Sequence, residues 1–168
     1  MMNKIKITPA KYTAKQVADY FIYLSTQQHI DDNTTEGITP LKLQKLLYFG
    51  QAVSLSIYNT KLFKDDIEAW KYGPVIPSLY NQYKHKQNKP IITPTGDYKD
   101  IQGNKIKKEI QGTWELFGKF SAGELVDITH NHKPWKDIYR EDKNHKIPPK
   151  VIKEYYTKIF ELQEDSDE

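Results

Sequence analysis

The stretch LKLQKLLYFGQAVSLSIY, residues 41–58, constrains this chain more than any other. At helical spacing Leu43, Leu46, Leu47, Gly50, Val53 and Ile57 share one face, while Tyr48, Ala52 and Leu55 form a second apolar stripe. A helix that is apolar on two sides has to be surrounded, which places it at the centre of its fold. Thr39 and Pro40 supply its start, a capping residue followed by proline at the first helical position. Gly50 is about 1 kcal/mol worse than alanine in a helix interior, so its presence predicts close approach of another element.

The remaining periodicities supply partners for that helix. Thr13 is placed to cap a helix over 13–28 with Val17, Tyr20, Phe21 and Leu24 at i, i+3, i+4 and i+7, and the polar DDNTTEG after it reads as a loop. Ile67 to Tyr72 is short and aromatic enough for a strand, whereas Gly73, Pro74 and Pro77 are expected outside regular elements. Pro77 then opens a helix carrying Leu79, Tyr80 and Tyr83. Residues 86–106 form a polar excursion in which Ile91–Ile92 is the expected partner of the Ile67–Tyr72 strand. Residues 107–120 place Ile110, Trp114 and Phe117 on one helical face, with Gly112 and Gly118 weakening it.

Ser121 and Glu124 spell a capping box ahead of Leu125, Val126 and Ile128, so a helix runs into ITHNHKPW, residues 128–135, where Pro134 interrupts or restarts it. A last helix opens at Pro148–Pro149 and presents Ile152, Tyr155, Ile159 and Leu162. The expected fold class is mainly α: a compact single-domain helical bundle around a central helix at residues 40–58, with a small β-strand pair. The expected organisation is an N-terminal extension (1–12), one domain (13–162) and an acidic, frayed tail (163–168).

A chain of 168 residues suits one core, burying roughly 70% of its unfolded surface. It has no cysteine, which excludes disulfides and thiolate metal sites, and it has no apolar run long enough for a membrane span. A cytoplasmic location away from membranes is the expectation. The net charge of +3 is carried by a lysine-rich body, because Arg140 is the single arginine among 25 basic residues. Lysine lacks the planar fork that reads base edges or clamps phosphates, so a solvated lysine surface is preferred over a sequence-specific DNA reader.

His130 and His132 raise the question of a metal site. On a helix, residues two apart point about 200° away from each other, so the pair converges only off the helix. No HExxH motif supports a site, and Asp127, His85 or His145 complete one only by assumption. Ser121 is committed to a cap, Glu68 and Glu124 read as solvated or capping, and neither GxSxG nor a glycine-rich phosphate loop occurs. The expectation is a protein without catalytic residues, cofactor or metal. Lys84 to Lys89, with Tyr80 and Tyr83 upstream, remains a candidate backbone-tracking surface for nucleic acid, although a solvated helix end is the preferred reading.

Three blocks in series carry a resemblance: KLQKLLYFGQA at 42–52, LFKDDIEAWKYGPVIPSLY at 62–80 and ELVDITHNHKPW at 124–135. Together, and with IPPKVIKEYY at 147–156, they resemble the Panacea domain of SocA-like antitoxins, often described as phage-associated proteins, over roughly residues 13–160. The resemblance implies a helical antitoxin of a bacterial or prophage toxin–antitoxin pair. Its partner would be a toxin from the adjacent gene, blocked by direct binding or delivered to a protease. The alternative is a nucleic-acid-binding regulator of its own operon. Leu43, Leu46, Leu47 and Tyr48 match the family's central helix. Ala69, Trp70, Gly73, Pro74, Val75, Leu79 and Tyr80 match its turn, and Thr129, His130 and Trp135 match its third block. A structural role is preferred for these residues, with toxin contact left open. His132 and the 86–106 excursion lie outside the pattern, so His132→Ala is expected to be nearly neutral.

Overall fold

The computed structural model describes residues 6–32 and 37–167; residues 33–36 of the expected loop, the first five residues and Glu168 lie outside it. Among the described residues the order is α1 (Ala14–Asp32), α2 (Pro40–Tyr58), β1 (Glu68–Trp70), β2 (Gly73–Val75), α3 (Pro77–Tyr83), α4 (Asn104–Phe117), α5 (Ala122–Asn131), α6 (Lys133–Ile138) and α7 (Pro149–Asp167). Short 3₁₀ turns occupy Lys84–Lys86 and Asp97–Asp100. The chain is mainly α with one small antiparallel sheet, as the periodicities imply.

α2 is the axis. Every residue from Leu43 to Leu55 is buried, and α1, α3, α4, α5, α7 and β2 all pack on it. Thr39 caps it by accepting from Lys42 N, and Asn59 ends it in a left-handed conformation. The close approach predicted at Gly50 is that of Leu62 and Phe21: a Cβ there would lie 2.9 Å from Leu62 Cδ2. α1 opens with reciprocal bonds between Thr13 and Gln16, and Val17, Ala18, Phe21 and Ile22 are fully buried.

Because α2 is enclosed, its polar side chains meet loop backbone instead of water. Gln51 Oε1 accepts from Leu62 N (2.6 Å) and Phe63 N (3.4 Å), and its Nε2 donates to Phe63 O (3.2 Å). Ser54 Oγ donates to Thr60 O (2.7 Å). On α1, the buried Asp19 carboxylate accepts from the N–H groups of Thr95, Gly96 and Tyr98, fixing the polar excursion to the bundle. Buried acceptors matched in this way avoid the cost of unpaired backbone donors.

The sheet departs from the sequence expectation. β1 pairs with β2 and not with Ile91–Ile92: Glu68 faces Val75, Ala69 faces Pro74, and Trp70 faces Gly73. Gly73 and Pro74 thus sit inside a strand. Neither Lys71 nor Tyr72 adopts a positive φ, so the twist that closes the hairpin falls on Gly73 at φ 107°. Pro74 is tolerated because β2 is an edge strand and the position needs no N–H toward β1. The other side of β1 pairs with residues 145–147 through Ala69 N to His145 O and Ile147 N to Ile67 O, both 2.8 Å. Ile91 bonds instead to Ile38, next to the start of α2.

The capping box at Ser121 and Glu124 forms in full, and Pro134 restarts the chain as α6. On α7 the buried residues are Ile152 and Tyr156, while Leu162 is exposed; the helix turns its inner face one position beyond Tyr155. α7 continues through Asp167, so 163–167 are helical and exposed where fraying was expected. No described helix is long and apolar enough to cross a membrane.

Candidate functional site

Three separated stretches, the first half of α2, the β1–β2 hairpin and the α5–α6 junction, meet at one point. At its centre is Lys45, fully buried, whose Nζ donates to Pro74 O at 2.9 Å. Its neighbour Gln44 holds the residue just after that strand: Oε1 accepts from Ile76 N (2.7 Å) and Nε2 donates to Ile76 O (3.2 Å). Together they occupy the backbone edge from Pro74 to Ile76 as a third strand would, which removes a backbone edge open to unwanted pairing.

Burial lowers the Lys45 pKa to about 7. A buried ammonium is disfavoured unless paired, and the partner Lys45 meets is a carbonyl, Pro74 O, not a carboxylate. The amine therefore changes charge near neutrality. Gly73 is what lets this packing exist: a Cβ there would lie 2.7 Å from Lys45 Cε and 2.8 Å from Thr129 Oγ1. Thr129, fully buried, turns its hydroxyl back to Val126 O at 2.8 Å.

Beyond Thr129, His130 stacks on Trp135 with centroids 3.9 Å apart, and Trp135 stacks on Tyr139 at 4.7 Å. Trp135 Nε1 donates to Trp70 O at 2.7 Å, which ties α6 to the hairpin. Burial, and then the nearby Lys45 charge, hold the His130 pKa below its ordinary value. The two histidines do not converge. His132 faces α7, with Nδ1 2.8 Å from the Tyr156 hydroxyl and its ring against Tyr155 and Tyr156. Burial lowers its pKa, and a neutral ring can accept a hydrogen bond from the phenol O–H. Among the described residues no group of three or more His, Asp or Glu is placed to hold a metal ion.

The residues singled out in the sequence fall into two groups. Leu43, Leu46, Leu47, Tyr48, Ala69 and Leu79 are core, and Gly73, Pro74, Val75, Thr129, His130 and Trp135 surround Lys45 or brace the hairpin. Trp70 is half-buried and Tyr80 is 44% exposed; their rings meet edge to face at 4.9 Å on the outer side of the hairpin. Tyr72, 60% exposed, stands beside them. Of the aromatic pair expected beside the lysine run, Tyr83 is buried, with its hydroxyl pushed up to about 12 by burial, so it offers no stacking face.

Lys45 and Gln44 are the residues that sequence reasoning missed. The signal was present: Lys45 lies three residues before Tyr48 and seven before Ala52, on the second apolar stripe itself. A lysine on such a stripe has no route to water.

The profile of the family described as antitoxin SocA-like, Panacea domain, matches residues 43–136, which spans α2 through the start of α6. The chain is also 33% identical over 113 residues to a protein named antitoxin SocA from Caulobacter vibrioides, covering 60% of each. It therefore spans about 60% of that relative's length. No solved structure gives a significant match.

Proposed function

Because this chain belongs to the SocA-like antitoxin family with the Panacea domain, we propose that it neutralises a toxin protein encoded next to it by binding that toxin directly. The observation that supports this most is the family match across residues 43–136, which includes all three stretches that meet at Lys45. That junction is built from packing and backbone bonds: a buried lysine on a carbonyl, a histidine stacked on tryptophan, and a threonine turned onto its own helix. Such a junction braces a surface, and the protein has no catalytic chemistry of its own. It acts in the cytoplasm, where its toxin is made. Delivery of the bound toxin to a protease is compatible with the same binding step.

The test is expression of the neighbouring reading frame alone and together with this chain. Arrested growth that co-expression relieves is the expected result. A harmless neighbour, or toxicity unchanged by co-expression, overturns the reading.

A second reading, regulation of its own operon through nucleic acid, draws on the exposed Lys84 and Lys89 and on Tyr80, which lines the same groove as Lys84. It requires promoter binding that weakens steeply with added salt and prefers its own sequence. Absence of binding at low salt removes it.

A further inference from the structure

Between the hairpin, the start of α2 and α3 lies an open groove of about 450 Å³, with Gln44 among its lining residues. Pro40 and Leu41 from the first turn of α2 line it together with Trp70, Tyr72 and Tyr80. Tyr72 is 60% exposed, Tyr80 44% and Leu41 37%, so bulky apolar groups from three elements crowd one patch of surface. Contiguous exposed apolar surface of this kind marks interaction sites, and aromatic side chains are the residue types that carry binding energy there.

The lining is held rigid. Gln44 grips both backbone groups of Ile76, Lys45 holds Pro74 O, and Trp135 Nε1 holds Trp70 O. A preformed groove loses little ordering entropy when it binds. At its rim Gln87 adopts φ 55° and ψ −119°, a conformation unfavourable for a side chain with a Cβ and of the sort that collects at binding sites. Lys71 and Lys84 line it and no lining residue is acidic, while the Glu68 carboxylate, held by the lining Trp70 through Nε1 at 3.1 Å, offsets one of these charges and leaves the rim cationic. Lys71 Nζ lies 5.5 Å from the Tyr72 ring centroid.

We propose that this groove is where the chain takes its toxin, and that it fits an acidic amphipathic segment of the toxin: a bulky apolar side chain seated among Leu41, Trp70, Tyr72 and Tyr80, with flanking carboxylates on Lys71 and Lys84. The occupant follows from charge complementarity and from the apolar floor. A nucleic-acid face would need a basic stripe along its length, whereas here two lysines rim an aliphatic and aromatic trough. The proposal rests on the antitoxin reading and adds to it the interface and the partner's chemistry.

Two double variants test it, Tyr72→Ala with Tyr80→Ala and Lys71→Glu with Lys84→Glu, each at exposed positions and each checked for an unchanged unfolding midpoint. Their affinity for the purified product of the adjacent gene is measured by calorimetry at low and high salt, alongside neutralisation on co-expression. The expected result is at least a tenfold loss for both variants, with the loss from charge reversal shrinking in high salt. Full affinity and full neutralisation in both variants overturn the groove and leave the antitoxin reading standing. Failure of the parent chain itself to bind or neutralise removes the antitoxin reading, and the groove proposal with it. Loss of self-association or of promoter DNA binding, with toxin affinity intact, assigns the groove to a second copy or to nucleic acid and also overturns the proposal.

Discussion

At the scale of single residues, Trp135, His132 and Lys45 separate packing from charge. The Trp135 side chain, in a residue 9% exposed, donates to Trp70 O and makes two ring stacks. Trp135→Ala should cost about 3 kcal/mol and Trp135→Phe, which keeps most of the ring contact but loses the donor, about 1 kcal/mol, both read from urea unfolding. His132→Ala should cost about 1 kcal/mol through the lost Tyr156 contact, against the neutrality that its absence from the family pattern suggests. Motif membership marks what relatives share; it says nothing about a contact made with α7, which lies beyond the matched region. For Lys45 the ordinary pKa of 10.5 falls to about 7 in the fold. Between those values the unfolded chain holds a proton that the folded chain has released, so stability rises with pH across that window, on the order of 1 kcal/mol per unit. Below it both states are protonated and the full cost of burying the charge is present. Lys45→Met removes this titration, so its stability relative to the parent should be highest at the acidic end and decline toward pH 9. A difference between the two that does not vary with pH would show that Lys45 is not buried as an amine.

At the scale of elements, the helices were legible and the hairpin was not. Thr39–Pro40, Ser121 with Glu124, and the apolar spacing of α2 are local signals, and each reappears as a cap or a buried face. β1 ends one residue before Lys71–Tyr72, and its partner starts at Gly73–Pro74, residues whose intrinsic preferences argue against a strand. What holds β2 in place is tertiary: from α2, about thirty residues earlier in the chain, Lys45 bonds to Pro74 O on the strand and Gln44 to Ile76 just beyond it. The polar positions of α2 were hard to read for the same reason, since a polar stripe on a helix usually marks solvent. Gln44 and Gln51, seven residues apart on one face, instead hold two separate loop segments. Gln51→Leu should leave the buried Leu62 and Phe63 N–H groups without their acceptor and cost about 2 to 3 kcal/mol. Hydrogen exchange would localise the damage: protection should fall at Leu62 and Phe63 while the centre of α2 keeps its protection until global unfolding. A uniform loss across the helix would mean that the amide stabilises α2 itself and not the loop it holds.

At the scale of the whole molecule, charge is distributed against the grain of the fold. The groove carries Lys71 and Lys84 on its rim, while Glu164, Asp165 and Asp167 are gathered at the far end of α7. Residues 161–167 are exposed and lie beyond Tyr156, the last buried residue of that helix, so they add little to the core. Deleting 163–168 should change unfolding free energy by no more than about 0.5 kcal/mol. The same deletion removes four carboxylates from a chain of net charge +3, which strengthens the positive field felt by an approaching acidic partner. The shortened chain should therefore associate faster with its toxin at low ionic strength by stopped-flow measurement, the gain fading as salt shortens the screening length to about 3 Å near 1 M. Slower association at low salt, or neutralisation lost with the tail, would show that the acidic end is itself a contact, and would point to a basic toxin surface in place of the acidic segment that the lysine-rimmed groove calls for.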